Sequence, residues 1–144
     1  MKSQCRYFVI SCLALAADQL AKFGAIKIFS GGQSAKLGWG FGLTFYLNEQ
    51  FAWSWPLSNA AAVILSLGLL ALGSFFYFRC ARARPELSAL FLIASGAVSN
   101  LVDRIVHGGV VDYISVPAGG VINLADIFIF VGVGLLITRM KTSP

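Results

Sequence analysis

Asp18, Asp103, Asp112 and Asp126 are all the aspartate this chain has, and each lies in or beside a long apolar run. The only other acids are Glu49 and Glu86. A carboxylate in or near hydrocarbon costs kilocalories unless it is paired, protonated or facing a wet cavity. Four of them in so apolar a chain imply a use: pairing between helices, an ion path, or acid–base work.

Their sequence neighbours divide them. Asp18 and Lys22 form an i,i+4 pair, close enough to bond on a helix. Asn100, Asp103 and Arg104 share one turn, so Arg104 is the candidate cation for Asp103, although adjacent helical residues do not face each other. Asn123 and Asp126 are again i,i+3, but no cation lies near Asp126 or near Asp112 in Val110-Val111-Asp112-Tyr113-Ile114. If those two meet, repulsion and desolvation raise one pKa and they share a proton. Such a pair offers a base to activate water and an acid to protonate a leaving group, and it titrates as a unit. Blander readings exist for each residue. Asp18–Lys22 serves as glue between helices, Asp103–Arg104 as an orienting salt bridge, and Asp126 as a residue favoured at a helix N-terminus. The missing cation at both Asp112 and Asp126 sets that pair apart.

Other chemistries lack their residues. There is no G-x-S-x-G, and no cysteine has a histidine nearby in sequence. His107 is the single histidine; Cys5, Cys12 and Cys80 show no CxxC spacing, so no metal set is expected. The cysteines read as small apolar fillers.

The positioning elements follow from composition. The chain has 144 residues, 58% hydrophobic and 12% charged, with mean hydropathy +0.79. Soluble domains carry roughly 25% charge, so the apolar excess reads as lipid-facing surface. One membrane domain is expected over 1–144, with helices at about 7–28, 58–78, 87–105 and 123–138. The fourth is short for a span of ~20 residues and should extend at one end. Net charge is +5, and the cations punctuate the apolar runs: Lys2 and Arg6, then Arg79, Arg82 and Arg84, then Arg139 and Lys141. No basic stripe with interleaved aromatics suggests nucleic acid. Positive residues stay cytoplasmic, which places both termini and the Arg79–Arg84 loop inside, with outer segments at about 29–57 and 106–122. Cys5 and Cys80 then sit at the side where thiols stay reduced. Lys2 and Arg6 before an apolar stretch resemble a signal peptide, and Val9-Ile10-Ser11-Cys12 faintly resembles a lipobox. The apolar core before Cys12 is too short for an h-region of ~7–15 residues, so an uncleaved first helix is expected. The first outer segment, rich in glycine and aromatics from Gly38 to Tyr46, suggests short strands on the bilayer surface, followed by Phe51, Trp53 and Trp55 at belt level. At ~1.5 Å per residue Asp18 lies about 16 Å in from Tyr7 and Asp103 about 24 Å from Leu87, so the polar patches converge in the outer half.

These patches, in this order, resemble the lipoprotein signal peptidase (signal peptidase II) family of bacterial membrane aspartic peptidases. Asp18-Gln19-Leu20-Ala21-Lys22 is similar to its D-Q-x-x-K. Asn48-Glu49-Gln50-Phe51-Ala52-Trp53-Ser54 is similar to N-x-G-x-A-[FW]-S. Gly96 to Arg104 resembles G-x-x-x-N-x-x-D-R, Val110 to Ile114 resembles V-V-D-[FY]-[IL], and Asn123 to Asp126 resembles N-x-A-D. Gln50 stands where the family usually has glycine, and Pro117 to Ile122 lacks the usual aromatic–proline approach to N-x-A-D.

The resemblance implies four membrane helices with a small β-rich extracytoplasmic cradle after the first, and a flap before Asp112. It implies Asp112 and Asp126 as the catalytic dyad. Asn48, Asn100, Arg104 and Asn123 would bind substrate or orient the dyad, with Asp18, Lys22 and Asp103 supporting. The substrates implied are diacylglyceryl-modified prolipoproteins, cut before the lipidated cysteine in the bacterial inner membrane. Membrane lipid is expected around the chain, with no cofactor, metal or obligate protein partner. The competing reading from the residues is a small proton-coupled transporter or channel, since intramembrane carboxylates also mark ion paths. Polar residues crowding one half of the membrane argue against it. A purely structural subunit is the third reading.

Overall fold

The computed structural model describes residues 2–50, 57–80 and 87–142. In chain order they form α1 (Lys2–Phe29), β1 (Ala35–Gly38), β2 (Phe41–Asn48), α2 (Asn59–Cys80), α3 (Leu87–His107), β3 (Val110–Ser115), β4 (Val121–Ile122) and α4 (Leu124–Thr142). Phe51, Trp53, Trp55, Arg82, Arg84 and Glu86, and most of the motif after Gln50, lie outside the described residues.

Among the described residues the one proline, Pro117, falls outside the helices, as expected of a residue that removes a helical hydrogen bond. The Ser58 hydroxyl accepts the Ala61 N–H at 3.3 Å and so caps the start of α2. Each helix outruns its sequence-based bounds at one or both ends, α4 by four residues at its C-terminal end. Asn123 precedes α4 rather than opening it.

Burial is inverted relative to a soluble protein. The buried side chains include Asp18, Lys22, Ser95, Ser99, Asp103, Arg104, Asp112 and Asn123. Phe8, Leu13, Leu20 and Phe23 of α1, Ile64 and Leu72 of α2, and Phe130 and Ile137 of α4 are exposed. Polar groups inside an apolar shell suit lipid as solvent. Among the described residues Cys5–Phe29 and Ser88–His107 are helices long and apolar enough to cross a bilayer; Asn59–Phe75 and Leu124–Thr138 are shorter apolar stretches.

Helix α3 packs against α1, α2 and α4. The α3–α4 contact is close because two positions carry no Cβ. A methyl on Gly96 would run into the Ala125 carbonyl, and one on Gly132 would lie 2.6 Å from Ile93 Cγ1. Small residues of this kind let membrane helices approach.

The sheet contains the strands expected after the first helix and extends beyond them. It has four antiparallel strands in the order β1-β2-β3-β4. Two come from the outer segment after α3, where the resemblance implies a flap before Asp112. The β1–β2 turn is Trp39-Gly40, with φ of 57° and 81°, positive at both central residues as tight hairpins require. Pro117 to Ile122 becomes the β3–β4 hairpin, closed by Gly119 N–H to the Val116 carbonyl at 3.0 Å and Val116 N–H to the Gly120 carbonyl at 3.1 Å.

Candidate active site: a carboxylate pair between sheet and helix

The sheet carries Asp112 and the start of α4 carries Asp126. Asn48 lies opposite Val110 in the β2–β3 register, which makes Asp112 its diagonal neighbour on the same face. The Asn48 amide donates to Asp112 Oδ2 at 3.1 Å. Asn123 donates through Nδ2 to Asp112 Oδ1 at 2.6 Å and through its backbone N–H to Asp126 Oδ2 at 3.3 Å. One residue thereby bridges the two carboxylates. The Asn100 amide donates to Asp126 Oδ1 at 2.9 Å. Asp112 is buried and Asp126 half-buried, so the pair has one dry member and one nearer solvent.

Burial, and next the neighbouring Asp126 carboxylate, push the Asp112 carboxyl up from about 3.8 to about 7. Its hydrogen bonds from Asn48 and Asn123 and the Lys22 charge pull the other way without cancelling this. Near neutral pH both protonation states of Asp112 are therefore within reach.

The α4 N-terminus, which in general leaves four amides unpaired, is fully satisfied. The Leu124 N–H reaches the Tyr113 hydroxyl at 3.3 Å and the Ala125 N–H reaches Asp18 Oδ1 at 3.2 Å. The Asp126 N–H reaches Asn123 Oδ1 at 2.9 Å and the Ile127 N–H reaches the Asn123 carbonyl at 3.4 Å. Asn123 and Asp126 form a reciprocal capping box. Asp18 does more than pair with Lys22: it caps another helix across the bundle.

Lys22 is the hub below. Its ammonium lies 2.8 Å from Asp18 Oδ2 and 2.8 Å from Asp103 Oδ2, with all three side chains buried. The sequence offered Arg104 as the cation for Asp103. Lys22 on α1 provides that ion pair instead, because neighbouring positions on α3 diverge while Lys22 faces α3 from the adjacent helix. Asp103 also accepts the Val111 N–H at 3.0 Å, which ties α3 to the strand residue before Asp112. Arg104 donates to Asn59 Oδ1 at 3.3 Å and to the Gln50 carbonyl at 2.9 Å. The Gln50 main chain serves twice: its N–H also reaches Asn48 Oδ1 at 3.2 Å.

The structure thus brings Asn48, Asn100, Asp112, Asn123 and Asp126 together around the pair, with Asp18, Lys22 and Asp103 as a buried layer beneath and Arg104 beside it. Sequence reasoning missed Tyr113, Gln19, Ser99 and Asn59. Gln19 donates to Asp103 Oδ1 at 2.9 Å and Ser99 donates to Asp18 Oδ2 at 2.6 Å. Tyr113 donates to Asp18 Oδ1 at 3.3 Å, and burial with that carboxylate raises its phenol above the ordinary value, keeping it a donor. Each adjoins a flagged aspartate or asparagine, except Asn59, whose signal is a lone amide opening an apolar helix. Among the described residues no cluster of metal-ligating side chains occurs.

Comparison with known proteins decides the family. The family model described as signal peptidase (SPase) II matches residues 10–142. This chain belongs to the signal peptidase II family. It is a peptidase and a membrane protein. A lipoprotein signal peptidase of Caldicellulosiruptor bescii is 36% identical over 131 residues, covering 90% of this chain and 87% of its own length. One of Burkholderia ambifaria is 33% identical over 138 residues, covering 89% and 82%. A bacterial membrane enzyme solved by the in meso method at 2.3 Å superposes with a TM-score of 0.83 at 25% identity, over 94% of this chain and 87% of its own. A second such enzyme, at 23% identity and TM-score 0.84, shares the fold. Signal peptidase II membership favours peptide hydrolysis over the transporter or channel reading.

Proposed function

We propose that this chain removes signal peptides from diacylglyceryl-modified prolipoproteins, cutting before the lipidated cysteine, with Asp112 and Asp126 as the catalytic dyad. The observation that carries the residue assignment is the bridging of the two carboxylates by Asn123, with Asn48 and Asn100 donating to one each. The scheme starts from the pair sharing one proton. The ionised member takes a proton from water as the water oxygen adds to the scissile carbonyl, and the protonated member gives its proton to the carbonyl oxygen, so the intermediate is a neutral gem-diol. As the C–N bond breaks, the member that took the water proton gives it to the departing amide nitrogen and a gem-diol hydroxyl returns its proton to the other member, so the pair ends with one proton again. The buried Asp18–Lys22–Asp103 layer holds strand and helix in register beneath this chemistry.

The relatives' printed names support the lipoprotein substrate. The reading has four spanning helices in the bacterial inner membrane, both termini cytoplasmic and the site toward the outer face; the basic clusters at Lys2 and Arg6, at Arg79 to Arg84 and at Arg139 and Lys141 support that orientation. At that depth the diacylglyceryl chains stay in lipid while the scissile bond reaches water. Cleavage of a lipidated precursor by purified protein tests the reading. Asp112→Asn and Asp126→Asn should each reduce the rate by at least about 10²–10⁴-fold, the usual worth of acid–base catalysis, while the protein still folds. Normal cleavage by either variant sinks the dyad.

A further inference from the structure

A carboxamide can face a carboxylate with its NH2 or, wrongly, with its oxygen. Three carboxamides donate Nδ2 to the proposed dyad, and each has its oxygen pinned. The Gln50 N–H holds Asn48 Oδ1 at 3.2 Å and the Asp126 N–H holds Asn123 Oδ1 at 2.9 Å. The Asn100 oxygen is held at 2.9 Å by Lys22 Nζ. The first two pins are backbone amides. The third is a buried side chain that no backbone constraint aims.

Lys22 suits the task because an ammonium has three donors and no acceptor. Two donors are directed to Asp18 Oδ2 and Asp103 Oδ2, both at 2.8 Å. Those carboxylates are themselves fixed, Asp18 by Ser99, Tyr113 and the Ala125 N–H, Asp103 by Gln19 and the Val111 N–H. The remaining direction points to Asn100 Oδ1, with the Ser99 hydroxyl at 3.5 Å. Since Lys22 can bind only oxygen, the Asn100 NH2 must turn the other way, onto Asp126 Oδ1 at 2.9 Å.

We propose that Lys22 is a positioning residue for Asp126, acting through Asn100 by fixing which end of its amide faces the carboxylate. This rests on the dyad reading. A lysine that merely glued α1 to α3 would end its role at Asp18 and Asp103. One that sets the Asn100 amide must show its effect on turnover, and only while Asn100 is present.

The test is a double-mutant cycle on the full chain in detergent, with the lipidated precursor as substrate. Lys22→Met and Asn100→Leu should each lower kcat by about 10–100-fold with KM little changed, as misplacement of a reacting group does. The double variant should fall no further than Asn100→Leu alone. Multiplied effects, or a Lys22→Met loss carried by stability with kcat intact, overturn the proposal. Lys22→Met strands two buried carboxylates. Should it fail to fold, Lys22→Met/Asp103→Asn removes one charge of each sign and takes its place, with Asp103→Asn as its reference. Asn100→Asp decides independently: it keeps an acceptor for Lys22 and removes the donor to Asp126, so it should lose at least about tenfold in kcat, and near-normal turnover overturns the proposal. Asp126→Asn separates the two readings. Retained cleavage there sinks the dyad itself, whereas a dead Asp126→Asn with multiplicative Lys22 and Asn100 effects sinks only this inference.

Discussion

Replacing Asp112 by asparagine should stabilise the protein above neutral pH while destroying its activity. The folded chain holds the Asp112 proton up to about pH 7, against an ordinary value of 3.8. A carboxyl whose pKa is raised by folding gives stability that is full below the unfolded value and is lost as pH climbs through the folded one. At ~1.4 kcal/mol per pH unit, the loss between about pH 4 and pH 7 is roughly 4 kcal/mol. Asparagine carries no charge and escapes that loss, but it is not free of cost. Asp112 accepts an amide NH2 on each oxygen, from Asn123 and from Asn48. Asparagine has one oxygen, so one NH2 must face another, at about 1–3 kcal/mol. The variant should therefore be about 1–3 kcal/mol less stable than the parent at pH 4 and more stable by a similar amount at pH 8, with the curves crossing between. Chemical unfolding in detergent at a series of fixed pH values measures this, and the difference between the two proteins isolates Asp112 from every other titrating group. Parallel stability curves from pH 4 to pH 8 would show that Asp112 does not carry this proton.

Cleavage should have an alkaline limb near pH 7, where Asp112 gives up its proton, with kcat/KM falling about tenfold per pH unit beyond it; a rate flat to pH 9 contradicts the shared-proton scheme. Asn123→Asp keeps an acceptor for the Asp126 N–H but sets an oxygen against Asp112 Oδ1 where an amide now donates. Thermal unfolding should show the α4 cap largely retained while precursor cleavage falls by at least about 10²-fold, and comparable losses in both would make Asn123 a cap and nothing more.

The polar machinery was legible because charge in an apolar chain is conspicuous. Asp112 and Asp126 stood out by lacking cations, and the helices by their uninterrupted apolar length. What stayed hidden was pairing across elements. Asp103 looked toward Arg104 because sequence shows neighbours along one helix, while its ion pair comes from Lys22 on another. β3 escaped because Val110, Val111, Asp112 and Tyr113 are all buried, which erases the alternation that marks a half-exposed strand. β4 has two residues, below any periodic signal. Gln50 looked like a disturbance at a glycine position, but its contacts to Arg104 and Asn48 run through main chain that any residue supplies.

The fully satisfied start of α4 bears on how the tetrahedral intermediate can be held. A helix N-terminus beside a reacting carbonyl is usually a ready oxyanion hole. Here Tyr113, Asp18 and Asn123 already occupy its leading amides. Negative charge on the carbonyl oxygen finds no free backbone donor there and two carboxyl groups instead. The intermediate this site favours is a neutral gem-diol, its oxygen protonated rather than solvated. An inhibitor that mimics it should present a hydroxyl that both donates and accepts, and an anionic phosphonate should bind poorly.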